Sequence, residues 1–245
     1  MKMMDDSLAE KTVFITGAGR RIGKALALGI ASAGANIFVH YGTSQEEAEA
    51  LTSEIRSIGV SAWVVGQDLA KLDSVEDVLK RAWATHPIDI LINNAAILED
   101  CDFFNTELIS WQKHLDINLT APFLLSKSFA TLYKGSSGRI INILDWRALR
   151  PGKDHFAYTI AKAGLAAMTR SLALTLAPSI SVNGIALGAI LPPSDGGDTA
   201  KVIKKVPMQR WAELQEVVDT AVFLSSGSQY ITGEIIHLDG GRHLV

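Results

Sequence analysis

The stretch Thr16-Gly17-Ala18-Gly19-Arg20-Arg21-Ile22-Gly23 constrains this chain more than any other. A short apolar run, 12–15, precedes it and reads as a buried strand. Residues 24–33 follow, with apolar side chains at helical spacing. A glycine turn that joins a strand to a helix is a phosphate cradle. Its glycines let the backbone approach a pyrophosphate, and the helix N-terminus presents unpaired N–H groups at the positive end of its dipole. Plain connections also use such turns, so the remainder of the chain has to decide.

The remainder alternates. Strand patterns fall at 36–40, 61–65, 88–92, 139–144, 181–186 and 234–238. Helical patterns fall at 45–58, 74–84, 107–115, 119–133, 156–176 and 213–224. Strands alternating with helices predict parallel βαβ units in an α/β, Rossmann-type, doubly wound sheet of about seven strands with helices on both faces. No linker or internal repeat divides the 245 residues, so 1–245 is read as a single domain. The exception to regularity is 188–207, with Pro192-Pro193 and Gly196-Gly197. A long irregular segment after the sixth strand, where open sheets bind ligands, is expected to be a substrate lid; a solvated loop is the alternative.

Composition excludes several classes. Net charge is −3, so nothing draws the chain to nucleic acid or to an anionic membrane. Cys101 is the single cysteine, so no internal disulfide can form, and a cytoplasmic location is expected. Residues 1–11 lack the apolar core of a signal peptide, and Lys162 and Arg170 interrupt the longest apolar stretch. No metal is expected.

Tyr158 and Lys162 lie four apart on a predicted helix and share a face. A cation beside a phenol favours the phenolate, which would lower the Tyr158 pKa and make it a proton donor in working range. The cofactor-side expectations come from the end of the second strand. It reads His40-Tyr41-Gly42-Thr43-Ser44, without the acid that binds a ribose 2′-hydroxyl in NAD enzymes of this fold. Arg20, Arg21, Thr43 and Ser44 can instead donate to a 2′-phosphate, which predicts NADP(H).

Thr16-Gly17 with Arg21 and Gly23, Asn93-Asn94-Ala95, Asn118, Tyr158 with Lys162, Ile231-Thr232-Gly233 and Asp239-Gly240-Gly241 together resemble the short-chain dehydrogenase/reductase family, in order and spacing over nearly the whole chain. The resemblance implies that Tyr158 is the acid/base. Lys162 holds the nicotinamide ribose, and Asn118 anchors a proton-relaying water. Gly17, Ile22, Gly23, Asn94, Ala95, Ala96 and Gly188 line the cofactor, and Asp68-Leu69 flank its adenine. It also implies a homotetramer built on the helices around Tyr158 and Ser126.

Two departures narrow the resemblance. Arg21 replaces the middle glycine of the family's turn, and Asp145 stands where its catalytic Ser would be. Both are similar to the pteridine reductase and dihydromonapterin reductase branch. An ionised Asp145 would repel a ketone oxyanion but suits the paired N–H donors of an amino-pyrimidine. It would also raise the Tyr158 pKa, against the effect of Lys162. Arg21, Asp145 and Trp146 are therefore the expected substrate contacts. A structural ion pair of Asp145 with Arg147 is the alternative. Ala96, Ile97 and Leu98 occupy the place where that branch carries a Ser and an aromatic, and Leu187 replaces the proline usual before Gly188. The readings left open are a pterin-like heterocycle reductase, a 3-oxoacyl or general carbonyl reductase, and a non-catalytic NADPH sensor.

Overall fold

Strands buried on both faces account for the unbroken apolar runs of the sequence. In the computed structural model, which describes residues 6–192 and 202–245, seven of them form one parallel sheet. They are β1 (Thr12–Ile15), β2 (Asn36–Tyr41), β3 (Ala62–Gly66), β4 (Ile90–Asn93), β5 (Gly138–Asp145), β6 (Ile180–Leu187) and β7 (Ile235–Leu238). Their order is β3-β2-β1-β4-β5-β6-β7. All four residues of β1 and all eight of β6 are buried.

Helices cover both faces. On one side α1 (Arg21–Ser32) lies between α2 (Gln45–Ile58) and α7 (Leu214–Ser226). On the other, α3 (Val75–Thr85) packs on α5 (Ala121–Leu132), and α4 (Leu108–Leu115) packs on α6 (Phe156–Leu176). The period-2 alternation of β1 feeds two cores. Val13 and Ile15 join Leu26, Ile30 and Val217 on the α1 side, while Phe14 joins Leu79, Leu125 and Phe129 on the α3 side. Helix α1 approaches α7 closely at Gly29, where a Cβ would run into Val218.

The order reverses at β1. β2 pairs on one side of it, in register Ile15 with Val39, and β4 on the other, Ile15 with Ile92. The chains leaving β1 and β4 therefore diverge and leave a crevice at the carboxyl end of the sheet, where open α/β sheets bind ligands.

Boundaries differ from the sequence reading by one to three residues, with one larger difference. The helical patterns at 107–115 and 119–133 are not two separate helices. Asp116–Thr120 forms a π-helical turn that carries α4 directly into α5. Such a turn adds a residue to the helical repeat, and its usual place is a functional site. Of the expected lid at 188–207, positions 193–201 lie outside the described residues. Its flanks are tied down: Ala212 N donates to Ala189 O at 2.9 Å, and Met208 N to Gly240 O at 3.2 Å. Among the described residues no helix is long and apolar enough to cross a membrane.

Candidate active site

The turn after β1 is held by close backbone packing. Gly17 has φ +60°, a conformation that costs glycine nothing. A Cβ there would sit 3.0 Å from the Cα of Ala95. A Cβ on Gly23 would fall on the Gly17 carbonyl and 2.8 Å from Asn94 Nδ2. Arg21 takes φ +50° at the first residue of α1. This is the position where the family pattern has glycine, and a non-glycine side chain there costs about 1–2 kcal/mol. Among the described residues the Arg21 guanidinium has no hydrogen-bond or ion-pair partner, whereas Arg20 pairs with Glu47 at 3.0 Å. A bare glycine cradle at the start of α1, with a free guanidinium beside it, fits a dinucleotide pyrophosphate. Ile22 turns inward and packs on the α1-side core.

The crevice is stitched from beneath. The Thr16 hydroxyl accepts the N–H groups of Asn94 at 2.8 Å and Ala95 at 2.9 Å. Asn94 Nδ2 donates back to Thr16 O at 2.8 Å. Ala96 is exposed beyond them. His40 requires a correction, because it is buried and both ring nitrogens are taken. Gly17 N–H donates to Nδ1 at 3.2 Å, and Nε2 meets Gln67 O at 3.0 Å, which assigns the proton to Nε2. Burial holds its pKa down at about 4, so the ring is neutral. His40 positions the turn rather than touching a cofactor. The Leu69 side chain is buried in the α3-side core, which leaves its backbone to face a ligand. Beside it, Asp68 Oδ1 accepts Ala70 N–H at 3.0 Å.

Around the end of β2, Thr43 is exposed. The Ser44 hydroxyl lies 2.9 Å from where a Gly19 Cβ would stand. Tyr41 packs over Gly66. Gly188 N–H donates to Leu238 O at 3.0 Å, and a Cβ at Gly188 would strike the Asp239 backbone.

Three side chains meet where β5 ends and α6 begins. Tyr158 Oη donates to Asp145 Oδ2 at 3.4 Å, a long and weak bond. Asp145 Oδ1 accepts Arg147 N–H at 2.8 Å. Lys162 Nζ donates to Ile143 O at 2.7 Å and lies 5.8 Å from the centroid of the Tyr158 ring. Desolvation raises the Asp145 carboxyl above its usual range, opposed by the Arg147 N–H and by the Arg147 and Lys162 charges. Desolvation and then the Asp145 charge push the Tyr158 phenol well up. Desolvation lowers Lys162 to about 8, against the pull of Asp145.

These directions correct the expectation that Lys162 lowers the Tyr158 pKa. Burial and the carboxylate dominate, and the phenol stays protonated at neutral pH. The alternative reading of Asp145 as a partner of Arg147 is met in part. Arg147 reaches Asp154 at 2.6 Å and Asp145 only at 3.8 Å. Asp145 thus holds one oxygen on a backbone N–H and keeps the other toward Tyr158.

Asn118 sits fully buried in the π-helical turn. Its Oδ1 accepts Ile97 N–H at 2.9 Å, and its Nδ2 donates to Ile97 O at 3.0 Å. This clamp fixes the chain leaving β4 beside α6. Helix α6 approaches the turn at Gly164, where a Cβ would come 2.9 Å from Leu119.

Trp146 faces a cavity of about 850 Å³ that Arg147 also lines. The guanidinium carbons of Arg147 and Arg242 lie 4.9 and 4.3 Å from its ring centroid. One layer was missed in the sequence. Asn93 Nδ2 donates to Asn142 Oδ1 at 2.8 Å, and Asn142 Nδ2 to Thr169 Oγ1 at 2.9 Å. This buried relay ties β4, β5 and α6 together under the site. The sequence signal was two asparagines interrupting apolar strands.

A family model described as Enoyl-(Acyl carrier protein) reductase matches residues 17–243. A 3-oxoacyl-[acyl-carrier-protein] reductase of Synechocystis sp. is 34% identical, covering 96% of this chain and 98% of the relative. The crystal structure of FolM Alternative dihydrofolate reductase 1 from Brucella canis, complexed with NADP, superposes with a TM-score of 0.91 at 34% identity, over 98% of this chain and 96% of that one. A blue fluorescent protein from a metagenomic library, in complex with NADPH, superposes with a TM-score of 0.91 at 30% identity, over 96% and 99%. With the parallel sheet, the glycine cradle and the Tyr158–Lys162 pair in place, the chain is a member of the short-chain dehydrogenase/reductase family of nicotinamide-dependent oxidoreductases.

Proposed function

We propose that this protein is an NADPH-dependent reductase of a pterin-like heterocycle. The observation that carries the reading is Asp145, a half-buried carboxylate 3.4 Å from the hydroxyl of Tyr158. Bound NADPH supplies a hydride to an electron-poor ring carbon. Gly17, Gly19 and Gly23 let the turn pack tightly on Ala95, Ser44 and Asn94, so that its backbone N–H groups can serve a pyrophosphate, and Arg21, Thr43 and Ser44 would donate to a 2′-phosphate. Lys162 has two N–H donors beyond the one on Ile143 O, and these suit ribose hydroxyls. Asn118, with one amide hydrogen and one lone pair uncommitted, can hold a water beside them.

Asp145 does two things in this reading. Its free oxygen accepts from the amino-pyrimidine edge, with charge-assisted bonds of about 1.5–3 kcal/mol each. Its charge also keeps the Tyr158 phenol protonated, so Tyr158 can donate a proton to the ring nitrogen as the adjacent carbon is reduced. The same charge disfavours an alkoxide beside Tyr158. The kinship to a FolM dihydrofolate reductase supports this reading. A second reading, 3-oxoacyl thioester reduction, is favoured by the curated relatives, which are 3-oxoacyl carrier-protein reductases. A homotetramer in the cytoplasm completes the proposal.

Asp145→Ser tests it. Pterin kcat/KM should fall at least about tenfold, equal to ~1.4 kcal/mol of transition-state stabilisation. Activity on an acetoacetyl thioester should hold or rise, and NADPH affinity should stay unchanged. Pterin reduction that survives the change intact would reduce Asp145 to a structural role and remove the main support for this reading.

A further inference from the structure

The cavity beside Trp146 has a charge that the rest of the molecule lacks. Across the whole chain, acids outnumber bases, and the net charge is −3. Among the described residues six cations, Arg147, Arg150, Lys153, Lys204, Lys205 and Arg242, stand around this cavity with one acidic side chain, Asp154, and Val245 at the end of the sequence. Asp154 is already spent on Arg147 at 2.6 Å. Among the described residues none of the other five has a carboxylate partner, and Arg150 reaches only the His243 carbonyl, at 3.3 Å. Arg147 Nε is buried with no hydrogen-bond partner. These cations come from three separated segments: the stretch after β5, the chain before α7, and the C-terminal turn. The excess of like charge over counter-charge makes the cavity attractive to an anion.

The position of the cavity shows which part of a ligand it meets. Trp146 and Arg147 follow Asp145 directly in sequence, and the Arg147 guanidinium is 3.8 Å from the Asp145 carboxylate. Asp145 itself does not line the cavity; Arg147 borders both, so a group held at Asp145 would reach the cavity along Arg147. The space, about 850 Å³, is the size of a small-molecule site rather than a flat docking face.

We infer that this cavity is a subsite for a polyanionic tail on the substrate, a substituent bearing two or more carboxylate or phosphate groups attached to the ring that Asp145 orients. The inference rests on the pterin reading for the identity of that ring, but the tail subsite is testable without it. A dihydropterin carrying a p-aminobenzoyl-glutamate chain has this chemistry; one with a neutral hydroxyalkyl chain does not. Lys204 and Lys205 supply charge at the mouth, while Arg147 and Arg242, stacked on Trp146, supply fixed forks for carboxylate oxygens.

The experiment has a binding arm and a kinetic arm. The full chain, with and without NADPH, is titrated calorimetrically with p-aminobenzoyl-triglutamate and, separately, with inorganic tripolyphosphate. Neither probe contains a pterin. At least one should bind, and its affinity should fall at least tenfold in Lys204→Gln/Lys205→Gln and in Arg150→Gln. Which probe binds more tightly identifies the tail as carboxylate or phosphate. In the kinetic arm, the KM for dihydrofolate should rise at least fivefold relative to that for dihydrobiopterin in the same variants. If the wild type reduces no pterin yet binds a probe with the stated sensitivity, the pterin reading falls and the anionic subsite stands. If neither probe binds, or if binding is the same in the variants, the subsite is overturned. The same holds if an acidic acyl carrier protein alone is captured through these lysines.

Discussion

Lys162 carries a charge in a place that resists it. Burial lowers its pKa to about 8, and its ammonium holds one backbone carbonyl, that of Ile143. The sign of the linkage follows from this depression. Below pH 8 the lysine is protonated in both folded and unfolded chains, and the full desolvation cost is present. Between pH 8 and about 10.5 the unfolded chain holds the proton that the folded chain has lost, so stability rises with pH. Lys162→Met should therefore stabilise the cofactor-free protein at pH 7 by about 2 kcal/mol, an advantage that shrinks by pH 10. Urea unfolding at both pH values checks this, and a variant less stable than wild type at pH 7 would sink the idea. Tyr158→Phe should leave NADPH affinity intact and lower kcat by about 10²–10⁴, the usual worth of a positioned acid. A loss confined to KM would remove Tyr158 from proton transfer.

At the scale of elements, the glycine turn, β2 and β3 are locked by one neutral imidazole. His40 accepts from Gly17 and donates to Gln67, at a pKa of about 4 against 6.5 in the unfolded chain. Between those values the unfolded state binds more protons, so stability falls as pH drops through the window. The protein should lose about 2 kcal/mol from this residue between pH 7 and 4.5, and a His40→Asn variant should lack that component. Parallel acid profiles for the two proteins would exclude His40 as the cause. Arg21 sits at the same turn with φ +50°. Arg21→Gly should relieve about 1 kcal/mol of backbone strain while weakening NADPH at least tenfold through the lost charged donors, read by calorimetry on the same variant. Much of this element-scale design was legible in the sequence. The cradle, the strands and the Tyr158–Lys162 face follow from glycine placement and from periods of 2 and 3.6. The π-helical turn at Asp116–Thr120 was not legible, because one extra residue in a turn leaves the apolar spacing of both flanking helices intact. The electrostatic directions at Tyr158 and Lys162 were not legible either. Residue spacing puts a cation near a phenol, but the balance depends on how completely both are withdrawn from water.

For the whole molecule, apolar surface bears on assembly. Phe123 on α5 and Ile160 on α6 are 45% and 40% exposed, while Leu108 and Ile109 on α4 are 79% and 76% exposed. Ala161 and Ala166 of α6 are spent inside the chain, but Ala167 faces out. A two-fold packing of these helices would cover the apolar side chains. Light scattering at micromolar protein should give four times the 26.4 kDa chain mass, and a monomer mass would refute the tetramer. NADPH should bind more tightly than NADH, since no acid ends β2 and the guanidinium of Arg21 has no partner among the described residues; a preference for NADH would contradict that account. The most direct test of the central claim is the substrate selectivity of the intact enzyme. NADPH oxidation is followed with dihydrobiopterin, dihydrofolate and an acetoacetyl thioester supplied in turn at equal concentration. The site built around Asp145 predicts turnover of the pterins with kcat/KM at least tenfold above the thioester. Turnover of the thioester alone would contradict it.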